Sequence, residues 1–70
     1  MKPLADRKKE IERILEFVRA HRNSYASLAV CRRALDQGLS EVTEPVIAQL
    51  EDYLAQAPDE EIAAYYTIVM

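Results

Sequence analysis

The residues in this sequence that could perform chemistry are few and scattered. His21 is its one histidine and Cys31 its one cysteine. A metal site or a histidine-based proton relay needs further ligating or orienting side chains, and the spacing around either residue supplies none. Arg32 and Arg33 follow Cys31, and adjacent cations lower the pKa of a thiol, but a helical cysteine is more often a small packed side chain. We therefore predict a protein that is not an enzyme, with no cofactor, metal or small-molecule substrate.

Three consecutive acids, Asp59 to Glu61, directly follow Pro58. Proline and acids are favoured in the first turn of a helix, where negative charge complements the positive end of the helix dipole. We interpret this cluster as the start of a helix rather than as a metal or catalytic site.

The elements that would position these side chains are helical. Residues 5–37 contain no Gly or Pro, and their apolar side chains recur at helical spacing. Ile11, Val18 and Tyr25 are seven residues apart, so the apolar stripe keeps its phase across the middle of the stretch. This pattern favours one long helix of roughly 30 residues, about 50 Å in length.

The limits of that helix depend on its weak helix formers. Asn23 or Ser24 could cap a new helix, so a first arm made of two helices is the alternative. Gly38, the single glycine, follows the last periodic positions and is expected to end the helix as a left-handed cap.

A second arm should begin near Ser40 or Thr43, and Thr43 precedes Glu44 and Pro45 in a typical helix-start pattern. Pro58 should break this arm. We therefore predict an all-α fold over residues 1–70: an antiparallel hairpin of two or three helices, with the long first helix packed against the broken second arm. The expected core is Ile11, Leu15, Val18, Tyr25, Leu28 and Leu35 against Val46, Leu50, Leu54, Ile62, Tyr65 and Val69.

Charge divides the chain into two halves. All nine basic residues lie within residues 1–33, together with four acids, whereas residues 34–70 carry eight acids and no Lys or Arg. One interpretation is that the basic arm lies along the acidic arm. The other is that a basic face stays open for an acidic partner.

A chain of 70 residues buries a thin core and is marginally stable alone. Apolar side chains are concentrated at residues 65–70, and tyrosine is enriched in the cores of interfaces. We therefore expect a protein partner, a homodimer, or both. The predicted partner-binding residues are Arg32, Arg33, Ile62, Tyr65, Tyr66 and Val69.

Localisation signals are sparse. Charged residues follow residues 1–4 at once, so we expect no signal-peptide core. No apolar run approaches the roughly 20 residues that span a bilayer, and single-cysteine usage fits a reducing compartment. We expect a cytoplasmic protein that does not enter the membrane.

The segment Leu-Ala-Val-Cys-Arg-Arg-Ala-Leu-Asp-Gln-Gly at residues 28–38 resembles the end of the first helix in the small co-chaperones of type III secretion needle proteins. The resemblance implies a cytoplasmic helical hairpin. It also implies a larger helical-repeat chaperone as partner, with which the hairpin would keep a needle subunit from polymerising early. Pro58 departs from the family, whose second arm is continuous.

The predicted function is a non-enzymatic protein-binding module: an adaptor, co-chaperone or small inhibitor that buries an apolar helix face against its partner. The alternative is a small dimeric DNA-associated regulator that uses the basic first helix. Residues 59–66 are similar to a segment of nucleoid-associated regulators of the Hha type. The acidic second arm disfavours nucleic acid, because phosphate contacts supply most of the affinity for DNA.

Overall fold

The computed structural model describes residues 4–70, so the short lead at residues 1–3 lies outside the described residues. Residues 4–70 form four α-helices and no strand, which confirms the all-α class. The helices are α1 (Leu4–Ala20), α2 (Tyr25–Leu35), α3 (Glu44–Gln56) and α4 (Asp59–Val69).

The helices pack as a hairpin of two broken arms. Helices α1 and α2 form the first arm, and each packs against both α3 and α4 of the second arm. The described chain measures 35 × 20 × 17 Å. An unbroken first helix of about 50 Å would extend beyond this body, so the break lets both halves of the first arm reach the core.

The prediction of one long first helix is wrong, and the two-helix alternative is right. Helix α1 ends at Ala20, and Ser24 is the N-cap of α2 with extended backbone angles (φ −73°, ψ 156°). The Ser24 Oγ accepts a hydrogen bond from the backbone N–H of Ser27 at 3.2 Å. A satisfied cap compensates for the hydrogen bonds that a continuous helix would have made through this turn.

The break changes which side chains enter the core. Tyr25, predicted to be buried, is 91% exposed at the start of α2. Ile14, Val30 and Cys31 are fully buried although none was in the predicted core. Ile11, Leu28 and Leu35 are partly buried against it. The other predicted core residues are buried as expected: Leu15, Val18, Val46, Leu50, Leu54, Ile62, Tyr65 and Val69.

The end of the first arm also differs from the prediction. Asp36, not Gly38, is the left-handed C-cap of α2 (φ 52°, ψ 46°). Aspartate tolerates this region because its short polar side chain can bond locally. The connection continues to residue 43, and Arg32 Nε donates to the carbonyl oxygen of Leu39 at 2.6 Å. The link between the arms is therefore longer than expected and is tied back to α2.

The second arm follows its sequence signals. Thr43 is the N-cap of α3, Pro45 lies in the first turn, and Pro58 separates α3 from α4 with extended angles (φ −67°, ψ 153°). Pro58 cannot donate a backbone hydrogen bond, and it disfavours helical angles at Ala57. The predicted break is confirmed.

Ion pairs join the two arms. Arg7 pairs with Asp59 at 2.6 Å, Arg19 lies 4.0 Å from Glu51, and Arg22 pairs with Glu44. In each pair the cation comes from the first arm and the carboxylate from the second. This confirms, for these three pairs, that the basic arm lies along the acidic arm.

We expect Ser24→Ala to lower the free energy of unfolding by about 1–2 kcal/mol. The change removes the acceptor for the Ser27 N–H and the hydroxyl that lies 3.1 Å from the buried Ser27 Oγ. Thr43→Ala is the matched control, because the Thr43 side chain makes no capping hydrogen bond. Urea denaturation followed by far-UV circular dichroism measures both, and equal losses would contradict the assigned cap.

Candidate protein-binding surface

The structure separates the predicted partner-binding residues. Ile62 and Tyr65 are fully buried and Val69 is 7% exposed, all within the core that α4 forms with α1 and α2. These three side chains are not on the surface in this conformation. The reason is that α4 fits between both helices of the first arm, which cover more of its apolar face than a thin hairpin of two helices would.

The remaining predicted residues lie in two places. Tyr66 is half-buried and lines a shallow groove beside Lys9, Glu10 and Arg13 of α1. Arg32 and Arg33 are exposed on α2. The structure therefore does not bring all six predicted residues into one site.

A polar cluster lies at the edge of the core, where Glu61 and Tyr53 are partly buried and Tyr65 is fully buried. The phenols of Tyr53 and Tyr65 both donate hydrogen bonds to Oε1 of Glu61. These bonds lower the pKa of Glu61, with a smaller contribution from the positive charge of Arg33. Burial is the largest cause that raises the pKa of Tyr65, and the bond to Glu61 raises the pKa of Tyr53. The cluster gives a buried phenol its acceptor and has the character of a structural contact.

We expect this cluster to make stability sensitive to acid. Because folding lowers the pKa of Glu61 below its ordinary 4.5, its contribution is present above that pH and lost as pH falls through the lower folded value. The wild-type urea midpoint should therefore fall between about pH 5 and pH 3 by more than that of Glu61→Gln. Parallel pH profiles for the two proteins would contradict this assignment.

The outward side of α2 presents the candidate surface, which we call the α2 face: Tyr25, Ala29, Arg32 and Arg33. Ala29 lies four residues after Tyr25, three before Arg32 and four before Arg33, which places these side chains on one side of the helix. The opposite side carries the buried residues Ser27, Val30, Cys31 and Ala34. Packing of that side against α3 and α4 holds the α2 face in a defined position.

The two arginines of the α2 face differ from those that join the arms. Arg7, Arg19 and Arg22 each pair with a carboxylate of the second arm. Arg32 bonds a backbone carbonyl through Nε, and neither Arg32 nor Arg33 forms an ion pair among residues 4–70. Arg33 acts on Glu61 only through its charge, so both exposed guanidinium groups can still accept a carboxylate from another molecule.

The grooves beside α1 are weaker candidates. One runs between α1 and α3 with Ile11, Leu15 and Ala55 among its lining residues, and Lys8, Glu12 and Glu51 also line it. Its charges are of both signs and indicate no particular partner. The α2 face, whose charges are of one sign, is therefore the better candidate.

Cys31 and His21, the two side chains with chemistry of their own, lie in different environments. Cys31 is fully buried, which confirms that it is a packed side chain, and burial raises the pKa of its thiol. His21 is exposed just after α1, and the centroid of its ring lies 4.9 Å from that of the Phe17 ring.

Residues 4–70 contain no group of three or more acidic, histidine or cysteine side chains that could hold a metal ion. No helix in this part of the chain is long and apolar enough to cross a membrane.

Tyr25 is the surface residue that sequence reasoning missed. Its seven-residue spacing from Val18 suggested the core, whereas the Ser24 cap makes it the first residue of a new helix. The serine before the aromatic residue was the available signal, because a cap restarts the helical phase.

Comparisons of this chain with protein-family models, curated proteins and solved structures found no match.

Proposed function

We propose that this chain is a non-enzymatic protein-interaction module, of the adaptor, co-chaperone or small-inhibitor kind, which binds its partner through the α2 face. One observation carries the proposal. A tyrosine that is 91% exposed shares a helix face with two exposed arginines that pair with no carboxylate among the described residues.

These residue types suit protein recognition. Tyrosine and arginine are enriched among the residues that dominate binding energy at interfaces. The tyrosine ring buries a large area with few rotatable bonds, and the guanidinium binds carboxylates in a two-pronged geometry. Because the buried side of α2 packs on α3 and α4, the face is held in place before binding and less conformational entropy is lost.

Among the roles within this class, the resemblance at residues 28–38 favours a co-chaperone. Ala29, Arg32 and Arg33 of the α2 face lie within that segment. A module of this kind acts by covering a surface of its partner, which needs no reactive group.

DNA association through α1 has less support. Lys8, Lys9 and Arg13 are exposed there, but Glu12 and Glu16 share the exposed surface of the helix. The ion pairs between the arms also hold three first-arm arginines against carboxylates. If DNA were the ligand, affinity should fall steeply as salt rises, which a fluorescence-anisotropy titration at two salt concentrations measures.

The proposed function is tested by site-specific photo-crosslinking in the native cell. A photoreactive amino acid replaces Ala29 at the centre of the α2 face, and Gln49 on the exposed side of α3 in a control variant. We expect discrete crosslinked protein products from position 29 and none from position 49. Adding Tyr25→Ser and Arg33→Ser to the position-29 variant should remove those products while helicity is unchanged.

Two outcomes would contradict the proposal. The first is an absence of protein products from position 29. The second is the same set of products from positions 29 and 49, which would indicate random encounters rather than a binding face.

A further inference from the structure

We propose that the α2 face binds an acidic segment of a different protein, whose carboxylates contact Arg32 and Arg33 and whose apolar side chain packs on Tyr25. This inference rests on the proposed function and names the chemistry of the partner at the same surface. The charge of the face and the orientation of its arginines carry it.

The α2 face is positively charged and contains no acid. Its charged residues are Arg32 and Arg33, which are both exposed. Asp36 follows them in the sequence, and the charge of Arg33 acts on Glu61. Neither carboxylate forms an ion pair with either arginine among residues 4–70. A partner that complements this face in charge therefore presents an anionic group to it.

The chain holds Arg32 in an orientation that leaves its binding end free. The Nε of Arg32 donates to the carbonyl oxygen of Leu39 at 2.6 Å, whereas Nη1 and Nη2 make no hydrogen bond to the described residues. These two terminal nitrogens can bind a carboxylate through two parallel hydrogen bonds. Because the bond to Leu39 already restricts the side chain, less conformational entropy is lost when a carboxylate binds.

The positions of the side chains define what the partner must carry. Arg32 and Arg33 lie about 100° apart around the helix, one on each side of the small Ala29 side chain. Tyr25 is 91% exposed and lies about 10 Å from Arg32 along the helix axis. The partner segment should therefore carry an apolar side chain about 10 Å from its acids, a separation of two turns of a helix or three residues of a strand.

The surroundings of the face favour a short acidic segment over an extended polyanion. Residues 34–70, which include α3 and α4, carry eight acids and no Lys or Arg, and α2 packs against both of these helices. A nucleic acid or an anionic bilayer that extended beyond α2 would meet these carboxylates and be repelled by them. Two arginines suit a few carboxylates, whereas affinity for DNA depends on many phosphate contacts.

The first test identifies the chemistry of the partner segment. The products that crosslink to the photoreactive amino acid at position 29 in the native cell are digested, and the attached peptides are sequenced by mass spectrometry. We expect these peptides to contain more Asp and Glu than Lys and Arg around the crosslinked site, together with an apolar side chain.

The second test changes the arginine that the chain orients. In the position-29 variant, Arg32→Gln should lower the yield of crosslinked protein about tenfold. Arg32→Lys keeps the charge without the planar fork and should lower the yield about threefold. Arg13→Gln removes the same charge from an exposed site on α1 and should leave the yield unchanged. Circular dichroism and the urea midpoint establish that each variant is folded.

Salt dependence supplies a further measurement on the same variants. The yield from the position-29 variant in a cell lysate should fall as sodium chloride is raised, because salt screens the attraction between the arginines and the partner's acids. The fall should be smaller when Arg32 is replaced by Gln.

Discrete products whose attached peptides are neutral or basic would overturn the acidic partner and leave the proposed function standing. Crosslinks between two copies of this chain, or equal yields from the Arg32→Gln and Arg13→Gln variants, would have the same meaning. Only adducts that nuclease digests, or no products at all from position 29, would refute both.

Discussion

Tyr65→Ala is expected to unfold the chain, or to leave it largely unfolded at room temperature. Tyr65 is the largest fully buried side chain, and truncating a large aromatic side chain in a core costs about 3–5 kcal/mol. A core in a chain of this size rarely supplies more than about 3–5 kcal/mol of stability. Far-UV circular dichroism with thermal melting measures the outcome, and we expect a large loss of helicity.

Tyr65→Phe and Tyr66→Ala test whether the loss of helicity comes from removal of the buried Tyr65 ring. Tyr65→Phe keeps the ring and removes the bond to Glu61, so it should cost only about 1 kcal/mol. Tyr66→Ala removes a half-buried ring and should leave the helices folded. A Tyr65→Ala protein that retained its helicity but changed its association state would show that Tyr65 belongs to an interface and not to this core.

Arg7→Met is expected to lower the free energy of unfolding by roughly 2 kcal/mol. Arg7 binds three acceptors at the junction of the second arm: the Asp59 carboxylate at 2.6 Å, and the carbonyl oxygens of Leu54 and Ala55 at 3.2 Å each. Those carbonyls lie in the last turn of α3, and Asp59 begins α4. One guanidinium thus complements the negative end of one helix and the first-turn acid of the next.

Variants at Arg7, Arg19 and Asp59 serve as controls for Arg7→Met. Arg7→Lys keeps the charge but cannot donate in three directions through a planar group, so it should recover less than half of the loss. Arg19→Met tests an exposed pair at 4.0 Å, which should contribute at most about 1 kcal/mol. A double-mutant cycle with Asp59→Asn isolates the ion pair. Equal losses from Arg7→Met and Arg19→Met would contradict the role of Arg7 as the clamp of the junction.

Together these variants separate stability from binding. Tyr65 and Arg7 hold α4 in place, and α2 packs partly on α4. Substitution of Tyr25 should change binding without changing the urea midpoint, because its side chain is 91% exposed. A binding loss that always accompanied unfolding would count against a discrete surface on α2.

The second arm was predictable from the sequence because its signals are local. Thr43 and Pro45 mark the start of α3, and Pro58 marks its separation from α4. A proline removes a backbone donor and restricts the residue before it wherever the chain folds. Apolar residues at helical spacing then placed Leu50, Leu54, Ile62 and Tyr65 in the core.

The first arm needed the tertiary structure. Its apolar spacing is compatible with one helix or two, because a four-residue turn between helices leaves the stripe apparently in phase. The outcome depends on whether two short helices bury more apolar surface against α3 and α4 than one long helix could. Local helix propensity does not include this packing energy. The break exposes Tyr25, brings Val30 and Cys31 into the core and moves the C-cap to Asp36.

The candidate surface followed from the same decision. The sequence determined that Arg32 and Arg33 lie on a helix and that residues 62–69 form an apolar stripe. Only the packing determined which of these stay accessible, because α4 is covered by both helices of the first arm while the outward side of α2 is left free. Periodicity identifies the apolar side of a helix, but burial depends on which neighbours cover it, and that is a property of the assembled fold.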